Sequence, residues 1–247
     1  MKDGQKFFLS HWELEGSIAN LIKKILVSEF NVKEDDVFCS SDENKVINNY
    51  EQIHKEVTGA NVLLVLISRF SKKRPWIMYE MGCFYETRDQ FEDKLVPVIV
   101  DGVSDAELPT IFSNQIIRYD ISDEDGFLSF MKRLNNETVH NNQEILAGIV
   151  RRYEKPLQEK IEYIRRRHLY WFVGEVSPEK KKDKMRNDLM AGRKVTIECR
   201  TSQEKDVLMS LCDHFTDVRY DNNTPLGQSM ISIKFLLPNK FKKVITR

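Results

Sequence analysis

Over its first 120 residues the chain alternates short apolar segments with amphipathic ones, an order typical of a parallel sheet with crossover helices. One of the apolar segments is hydrophobic at nearly every position, so we expect it to be a central strand buried on both faces. Five segments are predicted as strands: Lys6–Ser10, Asp36–Ser40, Asn61–Ser68 (the central one), Leu95–Val100 and Gln115–Tyr119. The pattern therefore predicts an α/β fold with a five-stranded parallel sheet.

Between the predicted strands, apolar residues recur every three or four positions, which is the spacing of an amphipathic helix. Helices are predicted over residues 13–30, 50–59 and 76–88. Gly59 marks the end of the second helix, and Pro75 suits the first turn of the third.

The second half of the chain has a different pattern. An apolar stripe between Asn141 and His168 predicts one long amphipathic helix that connects two parts of the protein. A smaller α/β unit is expected after it. Its predicted elements are a strand at Leu169–Val173, a helix at Pro178–Met190, a strand at Lys194–Cys199, a helix after Thr201 and a strand at Ser229–Leu237. We therefore expect a domain over residues 1–140, a connecting helix over 141–167 and a second domain over 168–247.

The charges are divided unevenly between the two parts. The whole chain has 38 basic and 38 acidic residues, but residues 1–140 hold 16 Lys and Arg against 24 Asp and Glu, and residues 141–247 hold 22 against 14. Either the two parts have different electrostatic roles, or their opposite charges help them dock. The basic part lacks aromatic residues interleaved on one face, so nucleic-acid binding is not expected.

Composition excludes several classes of protein. With 41% hydrophobic and 31% charged residues, the chain is neither collagen-like nor disordered. The four cysteines form no CxxC pair, so we expect reduced thiols and neither a zinc site nor any other metal site. No apolar run approaches the roughly 20 residues of a membrane span, and no signal sequence is recognised, so a cytoplasmic protein without a membrane partner is expected.

Residues capable of chemistry follow three of the predicted elements. Ser10 and His11 end the first strand, and Ser40 and Asp42 follow the second. Open parallel sheets bind their ligands at the carboxyl ends of the strands, where these side chains are expected. In the third helix, residues 76 and 80 are Trp and Glu, four positions apart and therefore on one face.

In this order, these residues resemble a Toll/interleukin-1 receptor (TIR) domain of the bacterial kind. The family's first box is similar to residues 7–11 (Phe-Phe-Leu-Ser-His), its second to residues 37–42 (Val-Phe-Cys-Ser-Ser-Asp), and its glutamate box to Trp76-x-x-x-Glu80-x-Gly82. The resemblance covers roughly residues 4–135 and implies a flavodoxin-like sheet.

The resemblance also implies an activity, because many prokaryotic TIR domains cleave the bond between nicotinamide and ribose in NAD+. NAD+ would then be a substrate, and no cofactor is expected. Glu80 would stabilise the oxocarbenium-like centre that remains when nicotinamide leaves, as carboxylates do in glycoside cleavage. Trp76 would form an apolar wall. The remaining expected substrate-binding residues are Phe8, Ser10, His11, Ser40 and Asp42.

Other interpretations of the same residues stay open. Glu80 is also a plausible solvated helix residue, Trp76 a core anchor, and residues 40–42 a turn cap. A non-catalytic TIR adaptor that acts by like-with-like assembly is the main alternative function. A phospho-receiver is disfavoured because the third strand ends in Ser68 rather than Asp, and a nucleoside deoxyribosyltransferase-like enzyme would also use a glutamate at an N-glycosidic bond.

Nothing in residues 166–247 matches a catalytic pattern, so we interpret this part as a sensor or oligomerisation domain. By analogy with the family, the protein would act in bacterial anti-phage defence or signalling, with a defence-system partner protein. The apolar stripe from Ile145 to Ile164 offers a seam for a homo-oligomer, or equally for docking within one chain. We expect NAD+ cleavage per molecule to rise with protein concentration.

Overall fold

The structure is a computed structural model, and two compact units make up the chain, Met1–Ile161 and Glu162–Arg247. No described helix combines the length and hydropathy that a bilayer crossing requires. The structure describes residues 5–39, 50–69, 71–72, 74–87, 94–101, 103, 108, 112, 116–138, 145–176, 179–191, 193, 195–199, 202–212, 217–221 and 229–234.

A five-stranded sheet forms the centre of the first unit, and all of its neighbouring strands are parallel. The strands are β1 (Phe7–Ser10), β2 (Val37–Cys39), β3 (Val62–Ile67), β4 (Leu95–Ile99) and β5 (Tyr119–Asp120), in the order β2-β1-β3-β4-β5. This order is consistent with a flavodoxin-like fold and confirms the parallel five-stranded sheet. Every residue of β3 is buried, as expected for a central strand that is covered on both faces.

The fifth strand lies later than predicted. The sequence predicted Gln115–Tyr119, whereas β5 pairs only Tyr119 and Asp120 with the end of β4. Residues 113–115 lie outside the described part of the chain. Within it, Ile116 is buried and Ile117 is exposed, an alternation that resembles a strand although neither residue pairs with β4.

Helices cover the sheet because a parallel sheet is stable only with both faces buried. In the first unit these are α1 (Gly16–Ser28), α2 (Tyr50–Gly59), α3 (Pro75–Glu86) and α4 (Glu124–Glu137). Helix α3 begins at Pro75, whose fixed φ suits a first helical turn.

Helix α4 was not predicted, although its sequence carries the usual signals. The side chain of Asp123 caps its start and accepts a hydrogen bond from the backbone N of Gly126 at 2.7 Å. Its buried face is formed by Phe127, Phe130, Met131 and Leu134. A Cβ added at Gly126 would lie 1.7 Å from the carbonyl oxygen of Asp120, so only glycine fits where α4 approaches β5.

The long helix, α5, runs from Leu146 to Val176 and corrects one prediction. Residues Leu169–Val173 were predicted as a strand because Tyr, Trp, Phe and Val favour strands. In the structure they continue α5, because buried residues still recur every three or four positions beyond His168. These buried residues are Leu157, Ile161, Ile164, His168, Leu169 and Phe172.

The first part of α5 packs within the first unit. The Tyr153 hydroxyl donates a hydrogen bond of 2.8 Å to Glu29 Oε1, and Arg152 Nη1 lies 2.6 Å from the same oxygen. Of the apolar residues of the expected seam, Ile149, Tyr153 and Leu157 are buried here, as are the neighbouring Leu146 and Val150, whereas Ile145 is 38% exposed. The seam is therefore already covered within a single chain over these residues.

The second unit contains a three-stranded antiparallel sheet, with strands β6 (Val195–Cys199), β7 (Asp217–Asp221) and β8 (Ser229–Lys234) in the order β6-β8-β7. Helices α6 (Glu179–Met190) and α7 (Ser202–Cys212) accompany it. Strand β7 was not predicted from the sequence. The core of this unit is small and consists of Leu169, Phe172, Leu189, Val195, Ile197 and Leu208.

Candidate functional site

The candidate site lies where β1 and β3 end and α3 begins. Ser10, the last residue of β1, is fully buried and pairs in register with Val65 of β3. The chain then turns through His11 and Trp12 into a short 3-10 helix at Glu13–Glu15. Because parallel strands end at the same edge of the sheet, this turn lies beside the segment that leads from β3 into α3.

The side chains of Ser10 and Glu80 meet at this edge. The Ser10 hydroxyl donates a hydrogen bond to Glu80 Oε2, and no described residue forms a hydrogen bond with Oε1. Glu80 has no exposed surface. Burial raises the pKa of its carboxyl to about 7, while Ser10 and the nearby Trp76 side chain act in the opposite direction. The carboxyl is thus poised to exchange a proton near neutral pH.

Trp76 lies one helical turn before Glu80, at the start of α3. Its side chain is partly buried and packs against the hydrophobic core. On its other sides it contacts two aromatic rings, with centroid distances of 5.1 Å to Tyr50 and 5.5 Å to Tyr79. The indole is therefore both a core residue and part of an aromatic cluster that reaches the surface.

A cleft of about 410 Å³ opens beside these residues. It is lined by His11, Trp12, Glu13, Arg74, Pro75, Trp76 and Ile77. The Arg74 guanidinium lies over the Trp12 ring, 4.3 Å from the ring centre. Glu80 is not among the described lining residues, although the Trp76 side chain of the lining lies close to its carboxyl.

A second buried carboxyl, Glu15, was not predicted as part of the site. Its Oε2 accepts a 2.9 Å hydrogen bond from the backbone N of Trp12. Burial raises the pKa of Glu15 to about 7, against the lowering effect of the nearby Ser68 and Ser71 side chains. The two serines bond to each other just after β3, with the Ser68 backbone N donating to Ser71 Oγ at 2.8 Å. Glu15 therefore joins the two segments that border the cleft.

The sequence did contain a signal for Glu15. It stands three, seven and ten residues before Ile18, Ile22 and Ile25, which form the buried face of α1. A carboxyl in line with an apolar stripe is expected to be buried, and a buried carboxyl is frequently functional.

The structure assembles some of the expected site residues and not others. Ser10 bonds to Glu80, and His11 and Trp76 line one cleft. His11 is buried, with Nδ1 3.2 Å from the Leu9 carbonyl oxygen. Phe8 has no exposed surface and stacks on Phe38 in the core, at a centroid distance of 5.0 Å. Ser40 and Asp42 lie outside the described residues.

Within the described ranges, no three His, Cys, Asp or Glu side chains come together as the ligands of a metal ion would. Cys39 and Cys83 are buried and form no disulfide bond within the described residues. Comparison with protein-family models finds no match for this chain. Comparison with curated protein sequences also finds none.

Proposed function

We propose that the protein is a TIR-type enzyme that cleaves the nicotinamide–ribose bond of NAD+, with Glu80 as its catalytic carboxylate. The observation that carries the proposal is the buried Glu80 carboxyl, which bonds to Ser10 at the end of β1 and lies one turn behind Trp76 in the cleft wall. Burial of a carboxyl without exposed surface costs free energy, and such groups are concentrated at functional sites.

In the proposed reaction the bond between ribose C1′ and the nicotinamide nitrogen breaks, and its electron pair leaves with nicotinamide. C1′ becomes oxocarbenium-like, and the Glu80 carboxylate stabilises this positive charge. Water then adds to C1′ and loses a proton, which gives ADP-ribose; attack by a nitrogen of the adenine ring gives a cyclic product instead. The reaction requires neither metal nor redox cofactor, because nicotinamide is already a good leaving group.

Ionisation of Glu80 fits this chemistry. The carboxyl is largely protonated below pH 7 in the empty site, since burial raises its pKa. The positively charged nicotinamide ring of a bound substrate favours the ionised form, because an opposite charge nearby lowers the pKa of a carboxyl. In surroundings of low dielectric, the resulting attraction is stronger than it would be in water.

Access to Glu80 is part of the proposal. The Glu80 carboxyl has no exposed surface and is not among the described lining residues, so we propose that the Trp76 side chain moves to admit the substrate. The Trp76 indole contacts the exposed rings of Tyr50 and Tyr79 and is only partly buried. This position leaves room for the movement that we propose.

The test is the release of nicotinamide from NAD+ by the full chain, followed by chromatography that separates linear from cyclic ADP-ribose. We expect stoichiometric nicotinamide and one of these two products. Failure to release nicotinamide at any protein concentration up to the solubility limit would contradict the proposal.

The second candidate is a TIR adaptor that assembles with its own kind without catalysis. The complete burial of Glu80 favours it, because a protonated carboxyl bonded to Ser10 also suits a structural role. Such a protein would self-associate and leave NAD+ intact, so the same assay separates the two functions.

For the enzyme we propose a cytoplasmic role in bacterial anti-phage defence or signalling, as a homo-oligomer and with a partner protein that triggers it. Over Leu146 to Leu157 the apolar residues of α5 are buried within the chain. We therefore expect assembly to use another surface of the first unit. The second unit would act as the sensor or oligomerisation domain.

A further inference from the structure

Arg74 immediately precedes α3, and the fold makes little use of its charge. The side chain is exposed, and its Cζ lies 4.3 Å from the centre of the Trp12 ring. Among the described residues no carboxylate lies within ion-pair distance of its guanidinium. Several other arginines of the described chain do have such partners: Arg133, Arg152, Arg166 and Arg193.

Both members of the Arg74–Trp12 pair are fixed by their backbones. The Arg74 backbone N donates a 2.9 Å hydrogen bond to the Ser71 carbonyl oxygen, and the Trp12 backbone N is held by Glu15. The Arg74 guanidinium lies over the Trp12 indole, and the N–H donors of a guanidinium lie at the edge of its plane. That edge is the part that binds a phosphate with two parallel hydrogen bonds.

The cleft lining complements one class of ligand. Among the described residues of the lining, Arg74 is the only Lys or Arg, while Trp12, Pro75, Trp76 and Ile77 supply an apolar surface. Glu13, the one acidic residue in the described part of the lining, is exposed and can accept hydrogen bonds from sugar hydroxyls. A volume of about 410 Å³ lies within the range of about 300–1,000 Å³ that is usual for small-ligand sites. The apolar surface suits an aromatic ring, Glu13 suits a sugar and Arg74 suits an anionic group. A nucleotide contains all three parts.

The N-terminal end of α3 adds to the positive electrostatic potential of the cleft. The Arg74 side chain forms no capping hydrogen bond to the first turn of α3, and the residues of that turn, Pro75 to Ile77, belong to the lining. The N-terminal end of a helix carries partial positive charge.

We propose that Arg74, stacked on Trp12, binds the phosphate groups of a nucleoside diphosphate in this cleft. The inference rests on the proposed function for the identity of the natural ligand, in which the diphosphate would belong to NAD+. Arg74 would then hold the substrate while Glu80 acts at the nicotinamide–ribose bond.

Calorimetric titration of the full chain with ADP, and separately with adenosine, tests this inference. The two ligands share base and sugar and differ in the phosphates, and neither contains the bond that the proposed reaction cleaves. We expect the wild type to bind ADP at least tenfold more tightly than adenosine. Arg74→Gln should weaken ADP binding about ten- to hundredfold and leave adenosine binding unchanged, the effect of losing a charge-assisted hydrogen-bonded pair.

Arg151→Gln is the matched control, because Arg151 is an exposed arginine of α5 outside the cleft lining, and it should bind ADP like the wild type. Arg74→Lys keeps the charge without the planar fork and should lie between the wild type and Arg74→Gln. It also provides the comparison if the glutamine variant fails to fold. Equal binding of ADP and adenosine by the wild type, or ADP binding by both Arg74 variants as tight as by Arg151→Gln, would overturn the inference.

The two proposals fail in different ways. Arg74-dependent ADP binding by a protein that does not cleave NAD+ would support the nucleotide site and contradict the proposed function. Cleavage of NAD+ with an unchanged KM in Arg74→Gln, together with unchanged ADP binding, would support the function and overturn the role of Arg74.

Discussion

Glu15 and Glu80 are both carboxyls whose side chains have no exposed surface, and burial raises the pKa of each from 4.5 to about 7. One pKa unit corresponds to about 1.4 kcal/mol, so each ionised carboxyl destabilises the fold by about 3 kcal/mol well above pH 7. A methionine or glutamine of similar size would avoid this penalty. Retaining such residues is typical of sites where function opposes stability.

Replacing Glu80 by Gln should stabilise the protein at alkaline pH only. The unfolded carboxyl loses its proton near pH 4.5 and the folded one near pH 7, so the folded state binds more protons in between. The wild-type free energy of unfolding therefore falls as pH rises through this window, whereas glutamine has no proton to lose. Urea unfolding should show Glu80→Gln more stable than wild type by about 1–3 kcal/mol at pH 8 and nearly equal at pH 5.

Glu86→Gln makes the same change at an exposed position of the same helix. It should alter the free energy of unfolding by less than about 0.5 kcal/mol at either pH. A Glu80→Gln effect that is equal at pH 5 and pH 8 would contradict the raised pKa.

The same titration should control catalysis. If the ionised Glu80 carboxyl stabilises the transition state, kcat/KM for NAD+ should rise with pH through about 7, because kcat/KM reports the pKa values of the free enzyme. Initial rates of nicotinamide release at low NAD+ concentration, measured from pH 5.5 to 8.5, check this. A profile that falls over that interval would mean that the protonated form is the active one.

At the scale of elements, the sequence is most informative where one periodicity dominates. The apolar run of β3 and the regular stripe of α1 were both found, and so was the cluster of strand ends that brings Ser10 close to α3. The strand predicted at Leu169–Val173 failed because β-forming residues at the end of α5 are packed at helical spacing, and tertiary packing overrides local propensity. Glu15 was missed because an isolated polar residue in a helix is usually exposed, although its position in line with the apolar stripe of α1 is a sequence signal for burial.

Alanine substitutions at Gly126 and Gly82 should have different effects on stability. Gly126 lies where α4 approaches β5, whereas Gly82 belongs to the sequence pattern around Glu80. A Cβ at Gly126 would overlap the Asp120 carbonyl oxygen, while a Cβ at Gly82 would meet no atom within 4 Å. We expect Gly126→Ala to destabilise the protein by about 3 kcal/mol through overpacking. Gly82→Ala should be neutral or stabilising by up to about 1 kcal/mol, because alanine favours helix interiors.

Thermal or urea unfolding of the two alanine variants checks this pair. Equal losses of stability would contradict the packing of α4 against β5. If Gly82→Ala lowers NAD+ cleavage without lowering stability, this glycine serves the reaction rather than the fold.

At the scale of the whole molecule, the acidic first 140 residues and the basic remainder form a chain with no net charge. An enzyme that consumes NAD+ without restraint would harm its own cell, so its activity is expected to be conditional. The burial of Glu80 in a single chain agrees with this expectation, because under the proposed function the substrate reaches Glu80 after a movement of Trp76. Self-association is one way to supply that change.

NAD+ cleavage per molecule should therefore rise with protein concentration, because mass action favours the assembled form. Added salt should reduce the rise if opposite charges hold the copies together. Specific activity over about a hundredfold range of concentration, measured alongside sedimentation of the same samples, checks this. Constant specific activity in a protein that stays monomeric would exclude assembly as the switch.

The central claim is that Glu80 cleaves NAD+, and the rate of nicotinamide release by matched glutamine variants tests it most directly. Glu80→Gln keeps the size of the side chain and removes the charge that a cationic transition state needs, whereas Glu86→Gln makes the identical change at an exposed site of α3. With both variants folded and at equal concentration, we predict wild-type release by Glu86→Gln and less than about a tenth of it by Glu80→Gln. Release by folded Glu80→Gln at the rate of Glu86→Gln would contradict the claim.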